Sequence, residues 1–450
     1  MTLRIDSLQL NNFRCFKEAA LSLHPRLTVI VADNGMGKTA LLDAIATAMA
    51  EYVDFLLDAR HSTGILPSDV RSSGDDESPA TLTLAAECAG DQVEWSLSRK
   101  SATSRRRRGA KQLAGASHAA ELLRQDADAR ECSLPLFTYY QSTRFAQSTF
   151  FDQKYSSMRN PPDGRFDAFA DYMTPLSSAA HFNEWYSARC RAIRNAMSHG
   201  GDHLKGTLAE LSSVRNAVRT VLEPTGWSEI DWDNDAGCVV VEHADRGRLP
   251  LSWLSSGIRS MVALTADLAH RCASLNPHLG DEAALKTPGT VLIDEVDLHL
   301  HPSWQQVVIE QLQRAFGAMQ FVVTTHSPQV LSTVFAESVR VVKHHRNDSY
   351  IERPEYQTRG VESADVLARV MSVHPVPRVE QAEWLSTFRM MIQRGGHQTP
   401  EAAELWNRLA EHFGDEHPVL EELSILRRLR DFKMEHGLDE ESRGGGHAKA

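Results

Sequence analysis

Eight consecutive residues, Ala32 to Thr39, read A-D-N-G-M-G-K-T. Two glycines, a lysine and a hydroxyl at this spacing suit a turn that holds phosphate. Glycine lets successive backbone N–H groups curl around an anion, lysine reaches the outer oxygens, and the hydroxyl ligates Mg2+. The pattern G-x-x-x-x-G-K-[ST] is met except at its first position, where Ala32 stands for glycine. Asn34, Gly35, Met36, Gly37, Lys38, Thr39 and Ala40 are therefore the expected contacts to ATP, with Thr39 also a magnesium ligand. A second stretch, T-V-L-I-D-E-V-D at 290–297, is an apolar run ending in acids. Such a strand delivers Asp294 to the magnesium shell and sets Glu295 beside it as general base for an attacking water. The plainer readings are a chance glycine turn and a strand whose acids face solvent; the two motifs in this order favour nucleotide chemistry.

The elements around these residues follow from local pattern. Residues 3–10 and 27–32 read as strands, and 38–57 as the helix that must follow a phosphate turn. Residues 60–79 are rich in Gly, Ser, Asp and Pro and read as loop. A-T-L-T-L-A-A-E-C and Q-V-E-W-S-L-S-R-K form a strand pair, and 134–144 is a further strand. Residues 165–222 read as helices, C-V-V-V-E-H-A-D-R-G-R-L-P-L-S-W-L as a hairpin, and the last ~95 residues as helices ending in a Gly/His/Lys tail.

The stretch L-S-S-G-I-R-S, residues 254–260, opens a helix where free N–H groups and the helix dipole favour an anion. Ser255 or Ser256 as an ordinary N-cap is the plain reading. Lying between the phosphate turn and the acidic strand, it resembles the LSGGQ signature of ABC-type ATPases. In that family Ser255 and Gly257 would cover the γ-phosphate held by a second subunit, so that each head makes half of each site. The resemblance extends to Asp297 as the D-loop residue and to His326, in V-V-T-T-H-S-P, as the switch histidine. Gln141, in T-Y-Y-Q-S-T-R, resembles the Q-loop amide that completes the magnesium and water shell, although an ordinary polar loop residue fits equally well. Arg14, in N-N-F-R-C-F, resembles the N-terminal arginine that contacts nucleotide phosphates.

The opening L-R-I-D-S-L-Q-L-N-N-F-R-C-F-K-E-A-A-L-S-L resembles RecF/SMC-type heads. About 110 residues separate Gln141 from the signature, without a sustained heptad pattern, so a short helical lid replaces a long arm. Across N-G-M-G-K-T-A-L-L-D-A-I-A, I-D-E-V-D-L-H-L-H-P-S-W-Q, F-V-V-T-T-H-S-P-Q-V-L and Q-T-R-G-V-E-S-A-D-V-L-A-R-V-M, the chain resembles the RecF-like ATPases of bacterial anti-phage defence, the PtuA type of Septu and retron systems. The implied fold class is α/β: an ABC-type head with a mixed sheet flanked by helices, a short helical insertion and a helical C-terminal region. The implied organisation is a head formed by 1–145 and 236–345, a lid at 146–235 and helices at 346–450. The implied activity is ATP hydrolysis with Mg2+. The implied partners are a second copy or a higher homo-oligomer, an HNH nuclease subunit, and a reverse transcriptase with its DNA–RNA product or other nucleic acid. A RecF-like DNA-repair clamp and a low-turnover ATP-dependent sensor are the alternatives. Residues 343–450 hold no D-x-D, so no nuclease activity is expected of this chain.

Composition sets the remaining expectations. Of 450 residues, 42% are hydrophobic, and the net charge of −11 argues against a wholly basic nucleic-acid surface. No apolar run long enough to span a membrane and no signal-peptide core is present, and six scattered cysteines suit a reducing, cytoplasmic setting. Arg105 to Arg108 form a basic loop that reads either as a phosphate contact or as solvated chain. His299 and His301 read as part of the interface near Asp297, with a metal pair as the other reading. Trp384, Leu385, Phe388, Met391 and Ile392 share a helical face, which reads as core or as partner surface.

Overall fold

A strand buried on both faces needs no polar alternation, and four segments have that composition. They are β3 (Leu27–Val31), β6 (Leu136–Tyr140), β10 (Gly289–Ile293) and β11 (Met319–Thr325), buried at every position. With β12 (Val339–His345) and β13 (Asp348–Glu352) they form a six-stranded sheet of order β13-β12-β3-β11-β10-β6. All neighbours pair in parallel except β12 and β13, so the sheet is mixed. Burying each large aliphatic side chain here contributes roughly 1.5–3 kcal/mol, which fixes this sheet as the centre of the core. The computed structural model describes residues 2–58, 64–71, 78–100, 113–127, 132–142, 165–169, 172–173, 178–199, 204–346, 348–374 and 376–436. The Arg105–Arg108 loop and the Gly/His/Lys tail lie outside the described residues.

A second sheet is antiparallel, with order β2-β1-β4-β5 from β1 (Leu3–Phe13), β2 (Phe16–Ser22), β4 (Ala80–Cys88) and β5 (Asp91–Arg99). Along β4 buried and half-buried residues alternate, as a sheet with one covered face requires. The stretch around Arg14 is thus the turn of a hairpin, with Phe13 opposite Phe16. Helix α1 (Lys38–Leu57) packs against both sheets. The Trp95 indole donates to the Ala48 carbonyl at 2.9 Å, and Gln320 on β11 exchanges hydrogen bonds with the Ile5 backbone at 2.8 and 3.0 Å. These contacts lock the hairpin sheet, α1 and the central sheet together.

Helices α2 (Ala114–Ala127), α3 (Ser178–His199), α4 (Leu204–Leu222) and α5 (Ser256–Leu275) flank the sheets. The segment expected to be a lid ends in a strand, because β7 (Trp227–Asp233) joins β8 (Cys238–His243) and β9 (Gly247–Pro250) in a third, antiparallel sheet. Trp227, Ile230 and Val241 are buried, so the hairpin read at 238–250 gains its partner from the end of that segment. Four short helices follow, α6 (Ala283–Lys286), α7 (Pro302–Gln305), α8 (Val308–Ala315) and α9 (Pro328–Leu331).

The chain divides into two compact units, residues 1–372 and 373–450. The region expected to turn helical at 346 instead begins with β13, whose alternation pairs it to β12, and with α10 (Ser363–Arg369), both in the first unit. The Q-T-R-G stretch also serves this unit. The Gln357 amide oxygen accepts from the Ala336 N–H at 2.9 Å, and the buried Thr358 hydroxyl donates to the Val334 carbonyl. The second unit contains α11 (Glu380–Gln393), α12 (Pro400–Phe413) and α13 (Pro418–Glu435), the last two opened by proline at the first helical position. Phe388 and Ile392 are buried there with Leu409, Leu420 and Leu423, and Trp384, Leu385 and Met391 pack on them, so the apolar face of α11 is core. Among the described residues, no helix is long and apolar enough to cross a membrane.

Candidate nucleotide-binding site

Four parallel strands end on one edge of the central sheet, and each end carries a residue singled out by the sequence. The register places Val31 of β3 beside Thr325 of β11, Val323 beside Ile293 of β10, and Ile293 beside Tyr140 of β6. The next residues along are the phosphate turn, His326, Asp294 and Gln141. In open α/β sheets this carboxyl edge is where ligands bind.

The turn between β3 and α1 is shaped by two glycines in the left-handed region, Gly35 at φ 76° and Gly37 at φ 97°. Ala32 has no positive φ, which is why the missing first glycine does not disturb the turn. A Cβ on Gly37 would lie 2.5 Å from Cys15 Sγ and 3.0 Å from the Phe16 ring. Gly37 caps α1 without a side-chain bond, so the first N–H groups of this 20-residue helix have no partner from the cap residue. Lys38 is buried and donates to the carbonyls of Ala32 at 2.8 Å and Asp33 at 3.0 Å. Burial lowers its pKa from the ordinary lysine value, against the opposing pull of Asp294, Glu295, Asp33 and Asp297.

Asp294 is the hub. Its two carboxylate oxygens accept from the Thr39 hydroxyl at 2.9 Å and the Thr324 hydroxyl at 2.6 Å. Thr324 also accepts from the Glu295 N–H at 2.7 Å, and Glu295 itself stands at φ 51°. Asp297 accepts from the Thr325 hydroxyl at 2.6 Å. One pair of threonines at the end of β11 therefore orients three acidic positions, and sequence reasoning passed over it. Polar residues closing an otherwise apolar strand were the available signal.

Arg14 is held at φ 48° with its guanidinium on Asp69 at 2.9 Å and Asp43 at 2.6 Å. Burial opposes its charge, and the two carboxylates outweigh that and raise its pKa. Asp43 lies one helical turn beyond Thr39 and also accepts from the Tyr139 hydroxyl at 2.9 Å. That i, i+4 relation places Asp43 on the face of Thr39, a pattern legible in the sequence and missed. Gln141 donates to the Met173 carbonyl at a long 3.5 Å. His326 is half-buried at the end of β11.

The serine-capped helix forms a separate corner. Ser255 caps α5 by accepting from Ile258 N–H at 3.5 Å. Gly257 is buried, and a Cβ there would lie 2.5 Å from the His299 carbonyl oxygen. The signature helix is thus seated directly on the backbone that follows Asp297. Among the described residues, no hydrogen bond joins Ser255 to residues 32–40. His301, on the same segment, caps α7 by accepting from the Ser303 N–H at 3.3 Å, and among the described residues no cluster of three or more metal-ligating groups is present. A buried network ties α5 to the strand before Gln141. Asp267 accepts from the Tyr140 hydroxyl at 2.7 Å and from Arg271 at 2.8 Å, and Arg271 donates to the Ala168 carbonyl. Burial alone would raise the Asp267 pKa, but Arg271 and Tyr140 hold it below the usual range.

A family model described as "AAA domain, putative AbiEii toxin, Type IV TA system" matches residues 27–332, which span the turn, the acidic strand and the signature. The retron Ec83 probable ATPase of Escherichia coli is 36% identical over 184 residues, covering 40% of this chain and 33% of that protein. Septu protein PtuA of Bacillus mycoides is 33% identical over 102 residues, covering 22% of this chain and 14% of that protein. The matches span a third or less of these curated relatives. Among solved structures, the Smc head bound to the C-winged helix domain of ScpA aligns with a TM-score of 0.46 at 15% identity, covering 78% of this chain and 97% of that one.

Proposed function

We propose that this chain, which belongs to the AAA-domain family matched over residues 27–332, is an ATP-hydrolysing subunit of an anti-phage defence complex. The observation that carries the reading is the Thr39–Asp294–Thr324 cluster beside Lys38 on the carboxyl edge of the sheet. The first N–H groups of α1 and the Gly35–Gly37 turn would cradle the phosphates, with Lys38 on their outer oxygens and Arg14 alongside. The hard oxygens of Thr39 and Asp294, with the Gln141 amide, fit Mg2+, which would neutralise charge on the outer phosphates.

Glu295 would accept the proton of the attacking water. The water oxygen bonds to the γ-phosphorus as the bond to the bridging oxygen breaks, and ADP leaves with that electron pair. His326, at the neighbouring strand end, would sense the γ-phosphate. Ser255 and Gly257 of a second copy would cover the same phosphate, with Asp297 at the junction, so binding joins two heads and hydrolysis separates them. The similarity to the retron and Septu ATPases supports a role in which this cycle controls a partner nuclease of HNH type, in retron settings together with a reverse transcriptase and its DNA–RNA product.

Glu295→Gln tests the reading. The variant should bind ATP and accumulate as a closed dimer, and turnover at the parental rate would remove Glu295 from its assigned role. Lys38→Ala should abolish protection of the host against phage while leaving the protein folded; unchanged protection would show nucleotide binding to be dispensable.

A further inference from the structure

We infer that Trp253 is the anchor with which one copy of this chain grips a second copy beside the shared nucleotide. Its side chain is 76% exposed, the highest value among the large hydrophobic residues described. The exposure is built in. Trp253 ends a one-turn helix, Leu251–Trp253, between β9 and α5, closed by the Leu254 N–H to the Leu251 carbonyl at 3.2 Å. Leu254 is buried on one side, and Arg259 on the first turn of α5 donates to the Ser252 carbonyl at 3.4 Å. A fixed turn therefore holds an indole in water, at the cost of a large apolar area that association would recover.

The surroundings name the occupant. Ser252, Ser255, Ser256 and Arg259 are all exposed around the indole, a polar rim about an aromatic centre of the kind that dominates protein interfaces. Through Gly257, which abuts the His299 carbonyl, this patch is continuous with Asp297 and the strand end at Thr325. That chain of contacts leads to the end of β11, beside the end of β3, from which the phosphate turn departs with Asp33, Asn34 and Gly35 exposed. A two-fold axis laying the patch of one copy on the turn of another buries both indoles in equivalent places. The patch carries the exposed Arg259 cation and the turn the exposed Asp33 carboxylate, an opposition of charge that favours this pairing over an unrelated apolar partner.

The inference rests on the head-to-head reading above, and the test separates the two. Association of full-length Glu295→Gln protein with ATP is measured by sedimentation velocity, with and without Trp253→Ala. The expected result is an ATP-dependent dimer that Trp253→Ala weakens about tenfold or more, with Trp253→Phe in between. Affinity of each chain for a fluorescent ATP analogue at concentrations below dimerisation, and the melting temperature, should be unchanged, since an exposed indole supports neither. Subtracting the Trp253→Phe emission spectrum should also reveal a blue shift of Trp253 when ATP is added. Equal dimerisation of the Trp253→Ala protein would overturn the assignment of Trp253 alone. Absence of any ATP-dependent dimer with Trp253 present would overturn both readings. Loss of single-stranded oligonucleotide binding with dimerisation intact would assign the indole to base stacking and overturn the second-copy assignment.

Discussion

Gly37 and Gly257 each stand at the opening of a 20-residue helix, and neither position has room for a Cβ, but the reasons differ. Gly37 needs its left-handed φ of 97°, and its close neighbours are the side chains of Cys15 and Phe16. Gly257 has ordinary helical backbone, and its neighbour is the unyielding carbonyl of His299. The first glycine shapes a turn whose lysine and threonine are already engaged within the chain, to Ala32, Asp33 and Asp294. The second seats a helix end whose serine accepts from the Ile258 N–H of its own first turn and stays exposed. One helix opening is thus organised internally, and the other is presented outward, as the proposed sharing of a site between two copies would need.

The largest expected effect falls on the internal half. Glu295→Gln should lower ATP turnover about 10²- to 10⁴-fold, the usual contribution of a positioned general base, while a binding titration shows ATP affinity retained. Parental turnover would break the assignment of chemistry to this half. Next is the tie between the halves. Asp267→Asn removes the carboxylate charge paired with buried Arg271 and should cost roughly 3–5 kcal/mol in chemical denaturation. Because the folded Asp267 pKa is depressed, its stabilisation is complete above about pH 4 and is lost as pH falls through the lower folded value, so the Asn variant should lack that acid-dependent limb.

Gly257→Ala must push the added Cβ away from a backbone oxygen and should cost about 1–3 kcal/mol. Gly37→Ala adds left-handed strain of roughly 1–2 kcal/mol to a clash with side chains that can shift. Denaturation curves of the two variants would sharpen the contrast. If the lost stability at Gly257 leaves ATP-dependent association intact, seating on His299 is the whole role of that glycine. Ser255→Ala is the mildest change for the fold, about 0.5–1 kcal/mol for a long cap bond, yet it should weaken ATP-dependent pairing.

Residues that carry their own signal were readable from sequence. The β3 and β10 runs read as apolar strands, with the turn and the acidic pair at their ends. The structure brings Lys38, Thr39, Asp294, Glu295, Gln141 and His326 to one edge of the central sheet. What stayed hidden depends on strand order. Thr324 and Thr325 matter because β11 lies between β3 and β10, and no local pattern specifies that neighbourhood. Asp43 draws in Arg14 and Tyr139 from two other elements. The strands β7 and β13 fall in segments whose sequence reads as helical, because each is short and gains its pairing from a hairpin partner further along the chain or just before it.

The division of the site between two copies is tested most directly by mixing two inactive chains. Lys38→Ala lacks the internal half, and Ser255→Arg blocks the outward half, so each alone should show negligible ATP turnover. Mixed in equal amounts, they form mixed dimers in which one of two sites is intact, and turnover should recover to about a quarter of the parental value. Turnover that stays at the level of the separate variants would contradict the account.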